Sequence, residues 1–167
     1  MIGYLRGRVL SLLPESVILD VGGVGYEVTC SGAAFSKLSG LRAGEEGEIY
    51  TYLQVGEQGV ALFGFADLKE KELFLELCAY CDPNRAKLKK LLDGGNATSG
   101  VLGLLFANRM AGVAYHVLKR TGMLDQVDRE FRVSIRNASL LNEKLNEDHL
   151  GCVKFLTAEL DACGIPY

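Results

Sequence analysis

No run of this chain is apolar for long enough to cross a membrane: 49% of its 167 residues are hydrophobic, but they are dispersed, and mean hydropathy is only +0.14. The opening MIGYLRGRVLSLLPES has two arginines and neither an apolar block nor a small-residue cleavage site, so no signal peptide is expected and the cytoplasm is the expected compartment. An excess of positive charge is missing too. Six basic and 11 acidic residues lie before Cys78, 12 and 10 from there on, so a net charge of −3 divides into −5 and +2. Neither half has the long-range field that gathers phosphates, and any nucleic-acid binding must come from local geometry.

Chemistry-bearing residues are scarce and scattered. Five cysteines, an odd number at irregular spacing, make no disulfide framework and suit a reducing compartment. Cys78-Ala79-Tyr80-Cys81 is a CxxC, yet a structural zinc needs four ligands in close pairs, and Cys152 and Cys163 do not supply a second pair. A redox dithiol would sit at a helix N-terminus, whereas this motif ends a helical pattern. Of the two histidines, His116 lies in an apolar helical stretch and His149 follows Glu147-Asp148, and neither has a serine or cysteine partner that spacing singles out. No catalytic constellation, metal site or cofactor is expected, and an enzyme is not the favoured reading. No linker rich in proline or serine divides the chain.

What is present is a change of period. VILDVGGVGYEV, residues 17–28, sets Gly22, Gly23 and Gly25 between two stretches that alternate at the two-residue period of strands. A phosphate-binding loop would need a helix after its glycines, so this is a hairpin turn and not a nucleotide site. Five strands are expected, about 2–12, 16–22, 25–30, 47–55 and 60–65, with a helical turn at 33–38. Five short strands with such an insertion suit a small closed barrel of the OB type, since closure removes exposed edges; fragments of a sandwich are the other option.

After Phe65 the period becomes helical. Helices are expected at about 67–80, capped by Asp67; at 84–92, stopped by Asp93-Gly94-Gly95-Asn96; at 97–121, closed by Gly122; and at 124–163, with a break near Gly151. The last carries Leu124, Val127, Phe131, Ile135, Ala138, Leu141 and Leu145, then Leu150, Val153, Leu156 and Leu160, a stripe read as bundle packing in preference to a coiled-coil seam. The fold class is α+β: an OB-type barrel over residues 1–66, then an all-α bundle over 67–167. Arg85, Lys87, Lys89 and Lys90 on the second helix are candidate phosphate contacts, although four charges on a short helix are more often a solvated face.

The segments MIGYLRGRV, DVGGVGYEV, IYTYLQVGEQGVALFGF and DLKEKELFLEL, in that order, resemble the N-terminal domain of the RuvA family of Holliday junction branch-migration proteins, over about residues 1–77. The resemblance implies an OB-type barrel used in tetramer assembly, four-way DNA junctions as partner, and an acidic pin in the loop between the last two strands. Here that loop reads Val55-Gly56-Glu57-Gln58-Gly59; the family usually has Arg-Glu-Asp where this chain has Gly56, Glu57 and Gln58, so Glu57 alone fits the acidic pattern. A carboxylate held among phosphates disfavours a closed duplex, and one does so less than two. The family's helix-hairpin-helix turns are not legible, because Asp82-Pro83-Asn84 stands where the glycine hairpin belongs. The segment that engages the motor RuvB is not seen either, so that partner is not implied.

Residues 78–167 are similar to the helical leader of an uncharacterised bacterial nucleotidyltransferase family, in NRMAGVAYHVLKRTG, NASLLNEKLNEDHL and ELDACGIPY. The metal-binding aspartates of that family are not in this sequence, so the resemblance implies no activity. The expectation is a noncatalytic, homo-oligomeric DNA-junction subunit of recombination and repair. The alternative is an interaction or scaffold protein, or a chimera whose helical half derives from a truncated nucleotidyltransferase.

Overall fold

The computed structural model of the protein describes residues 1–56, 59–93, 97–163 and 166. Its first third is five strands: β1 (Tyr4–Leu12), β2 (Ser16–Val21), β3 (Val24–Cys30), β4 (Glu46–Gly56) and β5 (Gly59–Phe65), with α1 (Gly32–Ser39) between β3 and β4. They close into a barrel in the order β1-β2-β3-β5-β4. All pairings are antiparallel except β3 with β5, where a parallel seam joins Thr29 to Phe63 and Cys30 to Gly64.

Local chemistry explains the turns. Gly22 and Gly23 have φ of 64° and 89°, between the paired Val21 and Val24, and the Gly23 N–H donates to Asp20 Oδ1 at 2.7 Å. Two successive left-handed residues make the turn whose twist matches its strands, and glycine adopts it without steric cost. The glycine-rich stretch is therefore a hairpin. At the parallel seam the need is space: a Cβ on Gly64 would come within 2.2 Å of Ile49 Cδ1. Ser31 caps α1, its side chain accepting from the Ala34 N–H at 3.1 Å.

The helical part comprises α2 (Leu68–Cys78), α3 (Arg85–Leu92), α4 (Ala97–Ala107), α5 (Ala111–Thr121), a 3₁₀ turn (Leu124–Gln126) and α6 (Arg129–Ala162). Asp67, Asn84 and Asp128 cap α2, α3 and α6 by accepting backbone N–H groups. Two departures from the sequence reading stand out. The helix expected over 97–121 is two helices, with a change of direction of 120° between them. Arg109 takes a left-handed φ of 57°, its N–H donates to the Phe106 carbonyl at 2.9 Å, and the Met110 N–H to that of Leu105 at 2.7 Å. This is a Schellman stop with arginine in the place glycine usually fills, which is why the break has no glycine or proline signature.

The second departure concerns the last helix. It begins at Arg129, because Val127 is extended and Asp128 is its cap, and it then runs 34 residues through Gly151 without a break. Only Phe131, Ile135 and Ser139 are buried in it. Its packing partner α5 has 11 residues and reaches Ser139 and Asn142 at Gly112. Past that contact Leu145, Leu150, Val153 and Leu156 are exposed, as is Leu141 just before it, and are not packed in a bundle among the described residues.

Two cores result. One fills the barrel, around Val9, Leu19, Val28 and Ile49. The other lies among α2–α6 and takes in Phe63 and Phe65 from β5, whose rings lie 6.5 and 5.3 Å from that of Phe74. The barrel and the helices thus share a packed junction, locked by Glu70. That side chain is 5% exposed; Oε2 accepts from Ser31 Oγ at 2.8 Å and from the Ala66 N–H at 2.7 Å. Burial pushes its carboxyl above the usual range, with Ala66 and Ser31 pulling the other way.

Candidate nucleic-acid interface

The β4–β5 hairpin stands clear of the barrel. Its ladder runs out to Gly56 opposite Gly59, and Gly59 has a φ of 115° that favours glycine. Glu57 and Gln58, the sequence candidates in this loop, lie outside the described residues. Their flanks are apolar and open to solvent: Val55 is 72% exposed and Val60 68%. Isolated exposed valines are ordinary, but a pair at the end of a projecting ribbon presents an apolar wedge.

Beside the hairpin, where the structure breaks the expected long helix, lies the α4–α5 turn. A cavity of about 340 Å³ separates the two, lined by Gln54, Gly56, Gly59, Val60, Asn108 and Arg109 among others. Asn108 is anchored, its Nδ2 donating to the Leu104 carbonyl at 2.8 Å. Arg109 is exposed and makes no ion pair among the described residues. Sequence reasoning missed it, since an arginine in an apolar helical window reads as a solvated face.

The four basic candidates of α3 divide. Leu88, Leu91 and Leu92 are buried, which turns Arg85, Lys89 and Lys90 to solvent. Lys87 faces α2 instead, with Nζ 3.2 Å from Glu76 and 3.7 Å from Glu72. Its charge is already matched. Arg85, Lys89 and Lys90 have no such partner among the described residues. Three of the four cations of the barrel segment are matched as well: Arg6 with Glu46 at 2.7 Å, Arg8 with Asp20 at 3.0 Å and Lys37 with Glu48 at 3.3 Å, leaving Arg42 without an ion pair among the described residues. Arg120, at the end of α5, donates to the Tyr80 carbonyl and stacks over its ring at 5.3 Å. Arg85, Lys89, Lys90 and Arg109 are thus exposed cations without an ion pair among the described residues, as are Arg129, Arg136, Lys144 and Lys154 of α6, whereas Lys119 sits over the Tyr115 ring at 5.9 Å.

Other chemistry is structural. Cys78 packs against the helical core and burial pushes its thiol up to about 12, the reverse of a reactive thiolate; Cys81 is exposed. The structure does give His116 a serine partner that spacing had not revealed, with Ser139 Oγ 3.0 Å from Nε2. Glu143 Oε1 lies 3.9 Å from that same nitrogen and 3.3 Å from Ser139 Oγ. A catalytic triad needs the carboxylate on the other ring nitrogen and a serine open to substrate, whereas Ser139 is buried under α5. The trio is a helix-to-helix hydrogen-bond cluster. Among the described residues no single helix is long and apolar enough to cross a membrane.

Comparison with known proteins bears on the hairpin. Residues 1–64 match the family model for the RuvA N terminal domain. Over 77 residues the chain is 47% identical to the Holliday junction branch migration complex subunit RuvA of Bifidobacterium adolescentis, covering 46% of this chain and 36% of that protein. The protein of the same name from Thermobifida fusca is 47% identical over 77 residues, 46% of this chain and 37% of its own length. That from Bdellovibrio bacteriovorus is 37% identical over 95 residues, 57% of this chain and 48% of its own. The matches thus span between about a third and a half of the relatives' length, and the family model falls on the barrel.

Proposed function

We propose that this chain, whose N-terminal part is a RuvA N-terminal domain, is a noncatalytic subunit that binds four-way DNA junctions in recombination and repair. On this reading residues 1–66 are an OB-type barrel and 67–167 a helical domain; the strand order and the inserted α1 support it. The observation that carries the proposal is the match of residues 1–64, which includes the projecting β4–β5 hairpin. Where four duplex arms meet, the exposed Val55 and Val60 offer apolar contact to unstacked bases, and Glu57 of the same loop adds like-charge repulsion against phosphates. Arg85, Lys89 and Lys90 hold the duplex arms through their phosphates. The proposed assembly is a homo-oligomer, a tetramer by resemblance, working in the cytoplasm, and no RuvB-type motor is invoked.

The test is a gel shift of a four-way junction against a linear duplex of the same composition, repeated across a salt series. A junction bound more tightly than duplex at every salt concentration supports the reading. Equal weak binding to both removes it. Replacing Arg85, Lys89 and Lys90 together by alanine should weaken binding to any sequence alike and flatten the slope of log K against log salt by about one for each phosphate left without its cation.

A further inference from the structure

From residue 143 to 162, α6 runs about 30 Å past its packing partner, at about 1.5 Å per residue. Starting just before this free stretch, and overlapping in part the face that buries Phe131 and Ile135, the residues Leu141, Leu145, His149, Cys152, Leu156 and Leu160 form one stripe of the helix. All are exposed except the half-buried Leu160. A stripe of this length left open on a helix is the mark of an interface.

The order of residues in the stripe says what covers it. The steps along it are four, four, three, four and four, and the residues read Leu, Leu, His, Cys, Leu, Leu, so the spacing and the two outer pairs of leucines are the same from either end, with His149 opposite the smaller Cys152 at the centre. A surface that reads alike in both directions matches a second copy of itself turned by a two-fold axis, in which residue i meets j and j meets i. We propose that the free half of α6 pairs antiparallel with the same segment of a second copy of this chain. Leu141 then lies level with Leu160 of the second copy, Leu145 with its Leu156, and His149 with its Cys152. One pair of charges agrees with this register. Lys144 and Glu159 lie on the same flank of the stripe, and the two-fold brings each lysine within about 3 Å, along the axis, of the other copy's glutamate. This pairing does not depend on the DNA reading, and it uses a surface separate from the barrel.

Cross-linking tests it, in full-length chains with Cys81, Cys152 and Cys163 replaced by serine. One chain carries Lys144→Cys, a second carries Glu159→Cys, and a short thiol-to-thiol reagent is added to each alone and to their mixture. Antiparallel pairing predicts a dimer from the mixture and almost none from either chain alone, because like sites are then about 20 Å or more apart along the axis. Adding Leu145→Glu and Leu156→Glu to both chains should abolish the product. Leu140→Glu, also exposed but off the stripe, should leave it, which separates loss of pairing from loss of folding. Dimers from the single chains in place of the mixture, no dimer from any sample, or a dimer that survives the paired glutamates would each overturn the proposal.

Discussion

Glu70 shows what a single residue can do without chemistry of its own. Nothing in DLKEKELFLEL distinguishes it from the solvated acids beside it, because its role comes from contacts far away in the chain. Ser31, 39 positions earlier, and the backbone of Ala66 both donate to it, and a Cβ on Gly100 of α4 would come within 2.0 Å of its Oε1. Truncation to alanine strands a buried hydroxyl and a partly buried N–H and should cost about 1–3 kcal/mol, measured by denaturant unfolding. The pH dependence follows from burial. The folded carboxyl titrates above its unfolded value, so its contribution favours the fold at low pH and is lost as pH rises through the raised value. Glu70→Gln keeps the acceptor and cannot ionise. Its stability relative to the parent should therefore improve between about pH 4 and pH 7, and a difference that shrinks over that range would contradict the assignment.

At the scale of elements, strands and their turns were readable because alternation and paired glycines act over a few residues. All five strands and the α1 turn lie where the pattern put them, within two residues at either end. The same logic failed at the α4–α5 break. Val101 to Val113 is apolar on all sides, and the stop rests on the backbone conformation of Arg109, which no residue type announces. It failed again along α6, where periodicity reports an apolar stripe but not whether a neighbour is long enough to cover it. The hairpin was located from sequence, whereas Arg109 beside it was visible only once the helix had bent. Arg109→Gly separates the two parts this residue plays. Glycine takes the left-handed conformation at no steric cost, so thermal unfolding should move upward or not at all, with a gain of at most about 1 kcal/mol. Junction affinity should fall in the same variant if the guanidinium meets phosphate, and unchanged affinity would take Arg109 out of the interface.

Across the whole molecule, the change of period near residue 66 is real, yet it does not divide the packing. Phe63 and Phe65 are strand residues by sequence and members of the helical core by contact, with Phe74 of α2 between them. Sequence patterns assign a residue to an element, not to the layer its side chain joins. Because the two cores meet there, barrel and helices should unfold in one transition, with far-UV and near-UV dichroism tracing the same curve. Phe74→Ala, which removes the ring they share, should cost about 3–5 kcal/mol. It should also pull the two curves apart, and coincident curves in that variant would mean that the halves are coupled elsewhere.

The closure of the barrel has a further consequence. On the β3–β5 side its circumference is closed by two ladder pairs, Thr29 with Phe63 and Cys30 with Gly64, flanked by the Ser31 N–H donating to the Gly64 carbonyl at 2.8 Å. A ring fastened at one short stitch breathes there first, so the amide protons of this stitch should trade with deuterated solvent well before those along β1 and β2. Once parted, the stitch exposes two unpaired strand edges at once, one of them on the ribbon that bears the hairpin, and a foreign strand seeking a template would enter at that gap.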